Sequence, residues 1–398
     1  MMAGILLGPS LFGWIAPHLF QLVFGADSLE PLRLLSQIGV CLFMFAVGME
    51  LDLAQTWRWA ERVLVIGHGS IAISFLFGVA IALPLYQRYA NPGASFSAFA
   101  LFMGISMSVT AFPMLVRILK DRHLFQTALG KTATMCAALG DATAWCILAF
   151  VIALAGAATI SDAVARAAAA VAYTGFLFAV MRPLLGRLLR RWLREDIDPE
   201  QPALVLISAV VLGSALITEW IGLHALFGAF LAGIIMPSGG SFRAKLTLRL
   251  EQFSSVLLLP TFFAVIGLRT QATLLSGAAD WMVCGGIVLV ATFGKMGGTA
   301  LIYRAFKQNW REALALGALM NTRGLMELIA LNIGLEMGIL SMRIFTMLVL
   351  MAIFTTVMTG PLVQWLIRPV VVPIDSGIGP QVSPETGATR RIPPAVQA

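Results

Sequence analysis

Charged side chains are scarce in this sequence. They make up 12% of its 398 residues, whereas an ordinary soluble domain carries roughly a quarter. There are four histidines and four cysteines, and none has the spacing of a metal site or of a disulfide framework. A Gly-rich phosphate loop and a nucleophile–base pair are also missing. These absences argue against an enzyme, a metalloprotein, an ATP-driven machine and a protein with an organic cofactor.

Apolar residues are abundant instead, at 59% of the chain. They form continuous runs of about 20 residues, the length of a helix that spans a bilayer. Because lipid offers no hydrogen-bond partner to the backbone, such runs predict an all-α polytopic membrane protein with about twelve transmembrane helices. The predicted segments are 1–24, 33–51, 63–86, 96–119, 128–156, 163–189, 202–220, 223–237, 252–268, 281–303, 312–335 and 342–367. The four cysteines lie inside these runs and are interpreted as small buried hydrophobic side chains: Cys41, Cys136, Cys146 and Cys284.

The net charge of +7 is distributed along the chain in a pattern that follows these segments. A loop after an odd-numbered segment holds at most one arginine, whereas the loops after even-numbered segments are strongly basic. By the positive-inside rule, the even loops and the C-terminus are cytoplasmic, so the charge needs no nucleic acid to explain it. We expect a multi-pass protein of the cytoplasmic (inner) membrane, with a membrane domain at 1–369 and a disordered cytoplasmic tail at 370–398, which is rich in Pro, Gly, Thr and Ser. The basic residues of the even loops are Arg58, Arg62, Arg117, Lys120, Arg122, Lys131, Arg182, Arg187, Arg190, Arg191, Arg194, Arg243, Lys245, Arg249, Arg304, Lys307 and Arg311.

Three segments contain residues that interrupt helices. Segment four reads GISMSVTAFPMLVRIL, with Ser106, Ser108 and Thr110 shortly before Pro113; segment nine contains Pro260; segment eleven reads GALMNTRGLMELIALNIG. Interrupted segments at corresponding positions of two halves indicate the binding site of a transporter. Segments four and eleven are such a pair if segments 3–5 and 10–12 form two inverted repeats.

Asp141 lies near the centre of segment five, in CAALGDATAWCILAF, with no cation within a helical turn. An ionisable residue at that depth costs about 2.5–3.5 kcal/mol to insert, so its default interpretation is functional. A carboxylate there can hold a desolvated Na⁺ or K⁺, or a proton, and this competition is sufficient for exchange. The alternative is a carboxylate that is satisfied by a neighbouring helix or kept protonated.

Lys295 lies inside segment ten, in ATFGKMGGTALIY. A buried ammonium group requires a carboxylate partner or loses its proton, and Asp141 is the candidate partner. Lys295 is then a counter-ion that a bound cation releases, a proton carrier, or a structural brace between helices. The residues alone leave these alternatives open.

The interrupted segment eleven carries four more polar residues. Arg323 and Glu327 are four apart and would pair on one face of a continuous helix, which favours a structural ion pair. Asn321 and Thr322 could offer oxygens to a cation, as could Thr110 in segment four. For each of these three side chains, a local cap or a hydrogen bond between helices is an equal alternative.

Glu219 and His224 lie at the tight turn between segments seven and eight. The alternation of loop charge places this turn near the extracellular surface. The two residues are therefore interpreted as part of a solvated turn.

Eight stretches occur in an order that resembles the monovalent cation:proton antiporter-2 family, and together they cover about residues 3–365. The family includes plant cation/proton exchangers, bacterial sodium/proton antiporters and the membrane domains of potassium efflux systems. The stretches are AGILLGPSLFG, FMFAVGMELD, GISMSVTAFPMLVRIL, GDATAW, HALFGAFLAGIIMP, PTFFAVIGL, the buried GK and MNTRGLMELIALNIG.

The resemblance implies a fold and a set of roles. The fold is the sodium/proton antiporter fold, with a dimerisation domain and a core domain that contains two crossed, interrupted helices, here segments four and eleven. Asp141 matches the ion-binding aspartate of the family and Lys295 matches its intramembrane lysine. Homodimers and an elevator-like alternating-access cycle are further implications.

Three features depart from the family pattern. Many bacterial relatives carry an acidic or polar residue directly before the aspartate, where this sequence has Gly140. Asp141 is therefore expected to act as the single carboxylate of the site, in one-for-one exchange. Family members begin with one more helix, so either the start of this sequence is assigned late or that helix is missing. A nucleotide-binding regulatory domain is not expected after segment twelve, which argues against a ligand-gated potassium efflux system.

The sequence and the resemblance together predict a secondary active antiporter that exchanges a monovalent cation, Na⁺ or K⁺, for H⁺ by alternating access. The alternatives are a transport-inactive scaffold or sensor that retains the fold, and a channel-like uniporter. The predicted ion and proton site contains Asp141, Thr110, Lys295, Asn321 and Thr322, with Asp141 as the ligand of the transported Na⁺ or K⁺. The supporting residues are Ser108, Pro113, Gly140, Arg323 and Glu327.

Overall fold

The computed structural model describes residues 2–50, 61–157, 159–194, 200–237, 256 and 259–367. Each of the twelve predicted segments contains helix, and the helices are numbered by segment. They are α1a (Met2–Leu7), α1b (Phe12–Ile15), α1c (Pro17–Val23), α2 (Ala26–Glu50), α3 (Glu61–Tyr89), α4a (Phe96–Ser108), α4b (Phe112–Asp121), α5 (Ala128–Ala155), α6a (Ile160–Phe176), α6b (Arg182–Arg194), α7 (Glu200–Ile221), α8 (Ala225–Ile234), α9 (Leu259–Arg269), α10a (Ala278–Thr292), α10b (Gly298–Ala305), α11a (Trp310–Met320), α11b (Leu325–Glu336) and α12 (Met342–Leu366). The predicted tail at 370–398 lies outside the described residues.

The lengths of these helices agree with a multi-pass membrane protein. Within the described ranges, seven spans have at least 18 residues and are apolar enough to cross a bilayer, and α11a with α11b forms an eighth that is bent by 47°. The apolar parts of α1, α7 and α8 are shorter. Segment one differs from the expected single helix, because three short helices replace it. Pro17 begins the third of them, and its missing N–H cannot continue the helix before it.

The helices pack in two groups. The crossing group consists of α3, α4a, α4b, α5, α10a, α10b, α11a, α11b and α12, which correspond to the two predicted three-helix repeats. The flanking group consists of α1a, α2, α7, α8 and α9, and α6a contacts both α5 and α7. In the flanking group, α2 and α8 touch through Gly48 and Gly233: a Cβ atom on Gly48 would lie 2.2 Å from the carbonyl oxygen of Phe230. Small residues of this kind let membrane helices approach closely.

Segments four and eleven are both interrupted, as predicted. In segment four, 109–111 separate α4a from α4b, and Pro113 lies in the first turn of α4b, where a missing N–H costs nothing. In segment eleven, 321–324 separate α11a from α11b. Pro260 lies in the first turn of α9 as described, so the third predicted interruption is not seen within the described part of segment nine.

The surface of the bundle is apolar where lipid is expected. Val171, Leu216 and Trp220 are exposed by 73%, 71% and 90%, which is typical of side chains that face acyl chains rather than water. The prediction that all four cysteines are buried is confirmed for Cys136 and Cys284, whereas Cys41 is half-buried and Cys146 is exposed on α5. Its apolar neighbours in the sequence did not reveal which face of the helix it occupies.

Candidate ion-binding site

The two interrupted helices cross at their breaks. The backbone N–H of Ala111 donates to the carbonyl oxygen of Thr322 at 3.0 Å, and Thr110 Oγ1 donates to the carbonyl oxygen of Met320 at 2.8 Å. The approach is so close that a Cβ atom on Gly324 would lie 2.8 Å from the Cβ atom of Ala111. Glycine is therefore required where the chain enters α11b, and the crossing that the resemblance implied is confirmed.

Two buried cations cap the C-terminal end of α4a. Lys295 Nζ donates to the carbonyl oxygen of Ser108 at 2.5 Å, while Arg323 donates from Nη1 to Ser106 O at 2.5 Å and from Nη2 to Met107 O at 2.7 Å. The last carbonyls of a helix have no partner inside it and carry its negative dipole end, so a cation is favourable there. Lys295 and Arg323 thus balance the charge of the break in segment four.

Lys295 projects from a π-helical turn, Phe293–Gly297, which was not predicted from the sequence. Its carbonyl oxygen accepts a hydrogen bond from Thr299 Oγ1 at 2.7 Å, and the Thr299 hydroxyl lies 2.7 Å from Ser70 Oγ on α3. Single π turns are frequent at functional sites because they reorient one side chain. The glycines that flank Lys295 were the only sequence signal of this distortion.

Hydroxyl groups, rather than cations, cap the C-terminal end of α11a. Thr322 Oγ1 donates to Leu319 O at 2.8 Å, and Thr359 Oγ1 donates to Ala318 O at 3.2 Å. Thr110 Oγ1 donates to Met320 O, as described above. The hydroxyl of Thr322 therefore caps its own helix, and its role as an oxygen ligand of the cation stays a prediction. The Thr110 hydroxyl forms a hydrogen bond between two helices, and its oxygen keeps lone pairs that a cation can use.

Arg323 and Glu327 form the predicted ion pair, with 3.7 Å between Nη1 and Oε2, and both side chains are fully buried. The helix does not continue between them, because Arg323 lies in the break before α11b. Among the described residues, neither carboxylate oxygen of Glu327 has a hydrogen-bond partner, and neither does Asn321 Oδ1. Asn321 therefore presents a buried acceptor at the crossing that no donor engages within the described part of the chain.

Asp141 lies half-way along α5 and is 9% exposed. α5 packs against α3, α4a, α4b and α11a, so it runs beside both interrupted helices. The position of Gly140 faces Ile71: a Cβ atom there would be 3.6 Å from Ile71 Cδ1, an apolar contact. The pairing of Asp141 with Lys295 stays a prediction, as does the role of Asp141 as a ligand.

The residue types around the crossing suit a monovalent cation. Na⁺ and K⁺ in transporters are held by carboxylates and by the oxygens of unwound helices. Asp141 and Glu327 are buried carboxylates in this group of helices, Asn321 Oδ1 has no hydrogen-bond donor among the described residues, and Thr110 Oγ1 has free lone pairs. The broken segments also bring the last carbonyl oxygens of α4a and α11a to the crossing.

In the turn between α7 and α8, Glu219 is exposed and His224 is half-buried, and the placement of this turn in solvent near the extracellular surface stays a prediction. Glu219 Oε2 accepts a hydrogen bond from the N–H of Ala225 at 2.6 Å, and His224 Nδ1 accepts one from Leu226 at 3.4 Å. Both side chains therefore cap the N-terminus of α8. Neither contacts the crossing in these bonds.

A helical membrane protein whose two interrupted helices cross beside a buried carboxylate and a buried lysine has the architecture of a secondary transporter. The family profile described as "Sodium/hydrogen exchanger, transmembrane" matches residues 1–368. The chain belongs to this family.

Individual relatives agree with this assignment. The chain is 41% identical to the Na(+)/H(+) antiporter NhaS4 of Synechocystis sp. over 364 residues. The matched region covers 91% of this chain and 88% of that protein. It is 39% identical to Cation/H(+) antiporter 19 of Arabidopsis thaliana, with 93% of this chain and 46% of the relative covered. It is 35% identical to K(+)/H(+) antiporter 1 of Saccharomyces cerevisiae, with 92% and 42% covered. The chain thus spans less than half the length of these plant and yeast relatives.

The fold agrees with a solved structure. The sodium proton antiporter MjNhaP1 of Methanocaldococcus jannaschii matches with a TM-score of 0.58 at 15% identity, over 91% of this chain and 88% of that one. At this identity the likeness concerns the fold alone, and it confirms the predicted antiporter fold.

Proposed function

We propose that this protein is a secondary antiporter that exchanges a monovalent cation, Na⁺ or K⁺, for H⁺ by alternating access. It acts as a transporter rather than an enzyme, as a homodimer in the cytoplasmic membrane with its C-terminus in the cytoplasm. The names of the Synechocystis, Arabidopsis and yeast relatives support the exchange reaction. The observation that carries the proposal is the crossing of two broken helices beside the helix of Asp141.

Asp141 binds the cation and the proton alternately in this mechanism. A carboxylate in a low-dielectric site gains more from either charge than it would in water, and one carboxylate cannot hold both. Thr110 and Asn321 add oxygens to the shell of the cation. Because the cation and the proton compete for the same carboxylate, the apparent KM for the cation rises as the proton concentration rises. The maximal rate at saturating cation does not rise. One cation exchanges for one proton, since Gly140 removes the second carboxylate.

Lys295 acts as a brace in this mechanism and tunes the site through its charge. Its Nζ donates to Ser108 O at the end of α4a, which holds the amine at the crossing in this conformation. In the proposed mechanism, a positive charge on Lys295 lowers the affinity of Asp141 for both ions and keeps either of them exchangeable. The cation and the proton then compete for Asp141, and this competition drives exchange.

The test uses purified protein in proteoliposomes with an imposed proton gradient and a pH dye inside. We expect Na⁺ or K⁺ to collapse the gradient, and Asp141→Asn to reduce the signal to that of empty liposomes. Asp162→Asn is the matched control, because Asp162 is an exposed carboxylate in the first turn of α6a. Exchange by Asp141→Asn at the wild-type rate would contradict the assignment of Asp141.

The same liposomes separate the alternatives. Downhill cation flux without proton movement would indicate a channel-like uniporter. The absence of any ion-dependent proton movement across the pH range would indicate a transport-inactive scaffold. Both outcomes overturn the exchange proposal.

A further inference from the structure

A second polar cluster lies away from the crossing, at the end of the bundle that holds the loops after odd-numbered segments. A cavity of about 340 Å³ opens there between α2, the α7–α8 turn, α9 and α11b. Its apolar lining includes Phe262 and Ile333, and its polar lining includes Arg33, Arg269, Asn332 and Glu336. The cavity separates the flanking group from the crossing group on this side.

One carboxylate connects the walls of the cavity. Arg33 Nη2 on α2 lies 3.0 Å from Glu336 Oε1, and Arg269 Nη1 at the end of α9 lies 3.2 Å from the same oxygen. Arg269 Nη1 also donates to Asn332 Oδ1 at 2.5 Å. Asn332 and Glu336 are four residues apart on one face of α11b, so Arg269 engages two successive turns of that helix. We call these four residues the latch.

The latch differs from an ordinary surface ion pair in its exposure. The side chain of Glu336 is 18% exposed and that of Arg269 is 22% exposed, whereas Arg33 is 48% exposed. Fully exposed pairs contribute little because water and salt screen them. A shared, mostly buried carboxylate with two arginines is screened much less, so the latch couples the positions of its three helices.

The helices that the latch joins belong to different groups. Arg33 and Arg269 lie in the flanking group, while Asn332 and Glu336 lie on α11b in the crossing group. Glu336 is the last residue of α11b, and the break at 321–324 precedes the first residue of the same helix. A rigid helix transmits a displacement at one end to the other end. The latch therefore fixes the position of the crossing relative to α2 and α9.

We infer that Glu336 is a positioning residue of the exchange cycle. By binding Arg33 and Arg269, it holds α11b against the flanking group in the conformation of this structure, and it releases them when the crossing group moves. The inference rests on the proposed function, because a moving crossing group is part of alternating access. Glu336 acts through the position of α11b and does not contact the transported ion.

Charge reversal tests the latch. Glu336→Arg places three cations together, so this conformation becomes unfavourable and we expect turnover to fall about tenfold. The apparent KM for the transported cation should stay within about twofold of wild type, because the ion-binding site is intact. The triple variant Arg33→Glu, Arg269→Glu and Glu336→Arg restores both ion pairs with inverted signs, and we expect turnover to recover to within about threefold of wild type. Glu336→Gln keeps the shape of the side chain and serves as the variant that folds if the reversal does not.

The matched control is the other arginine–carboxylate pair described at this end. Arg88 lies 3.6 Å from Asp280, and both belong to the crossing group, on α3 and α10a. Because this pair joins helices that move together, Arg88→Gln leaves turnover unchanged, whereas Arg33→Gln lowers it. The melting temperature in detergent is measured for each variant, so that lost stability is not mistaken for lost turnover.

Cross-linking tests the release step. In a background without the native cysteines, Arg33→Cys and Glu336→Cys are joined with a short bis-methanethiosulfonate reagent, whose bonds to the protein a reductant cleaves. We expect exchange to stop on cross-linking and to return on reduction, and each single variant to be unaffected by the reagent.

The outcomes separate the two proposals. An inactive wild-type protein overturns the exchange function and the inference that rests on it. An active wild type with full turnover in Glu336→Arg, with a triple variant that is not rescued, or with continued exchange in the cross-linked protein, overturns the latch alone.

Discussion

The two breaks at the crossing are satisfied by different chemistry. At the end of α4a, the carbonyls of Ser106, Met107 and Ser108 accept from a guanidinium and an ammonium group. At the end of α11a, the corresponding carbonyls accept from threonine hydroxyls, at 2.8 to 3.2 Å. The repeats are similar in helix order, and yet one break has charged caps and the other has neutral caps.

This difference teaches how the intramembrane charges are used. A cation in a membrane helix requires a partner. The carbonyl end of α4a is such a partner for both Lys295 and Arg323, and Glu327 is a second one for Arg323. Their burial is explained without assigning either one to the transported ion. The neutral break keeps its hydroxyl oxygens available as ligands. Substitutions should therefore damage the charged break mainly in stability and the neutral break mainly in ion affinity.

Arg323→Met is expected to have the largest effect on stability. It removes both hydrogen bonds to α4a and leaves Glu327 as an unpaired buried carboxylate, which costs roughly 3–5 kcal/mol. The unfolding midpoint in detergent measures this loss. Arg122→Met is the control, because Arg122 is exposed and bonds to Gln364. Equal midpoints for the two variants would show that the charged cap is dispensable.

Lys295→Met is expected to have an intermediate effect. It leaves Ser108 O without its donor, and a hydrogen bond from a charged group contributes about 1.5–3 kcal/mol. Exposed Lys131→Met serves as the control, with a change within about 0.5 kcal/mol. A midpoint for Lys295→Met as high as that of Lys131→Met would mean that the cap at Ser108 contributes little.

Thr110→Val is expected to have the smallest effect on stability and a distinct effect on transport. The loss of the bond to Met320 O costs about 1 kcal/mol, and the apparent KM for the cation rises because an oxygen leaves the shell. Thr110→Ser retains both properties.

Thr359→Val is the matched control for this comparison. Thr359 also donates to a carbonyl of α11a, at 3.2 Å, so a similar loss of stability is expected with an unchanged KM. An equal rise of the KM in both variants would remove Thr110 from the proposed shell.

Much of the fold could be predicted from the sequence. The cost of inserting polar groups into lipid forces spanning helices to be long and apolar, so the twelve segments were visible along the chain. The break in segment four was visible from Pro113 and the hydroxyl residues before it, and the break in segment eleven from Asn321 to Gly324. The face of α5 that carries Cys146 was not visible, because long apolar stretches have little periodicity to orient them.

The candidate site, like the fold, could be predicted from the sequence only in part. The sequence by itself determined which residues are costly inside the membrane, since that cost depends only on residue type and depth; Asp141, Lys295, Arg323 and Glu327 follow from it. Only the tertiary structure decided their partners. Lys295 meets Ser108 across 187 positions of sequence, and Arg33 meets Glu336 across 303. Such contacts depend on where two helices pass each other, on a π turn at Lys295 and on the close approach at Gly324, and none of these is set by local sequence.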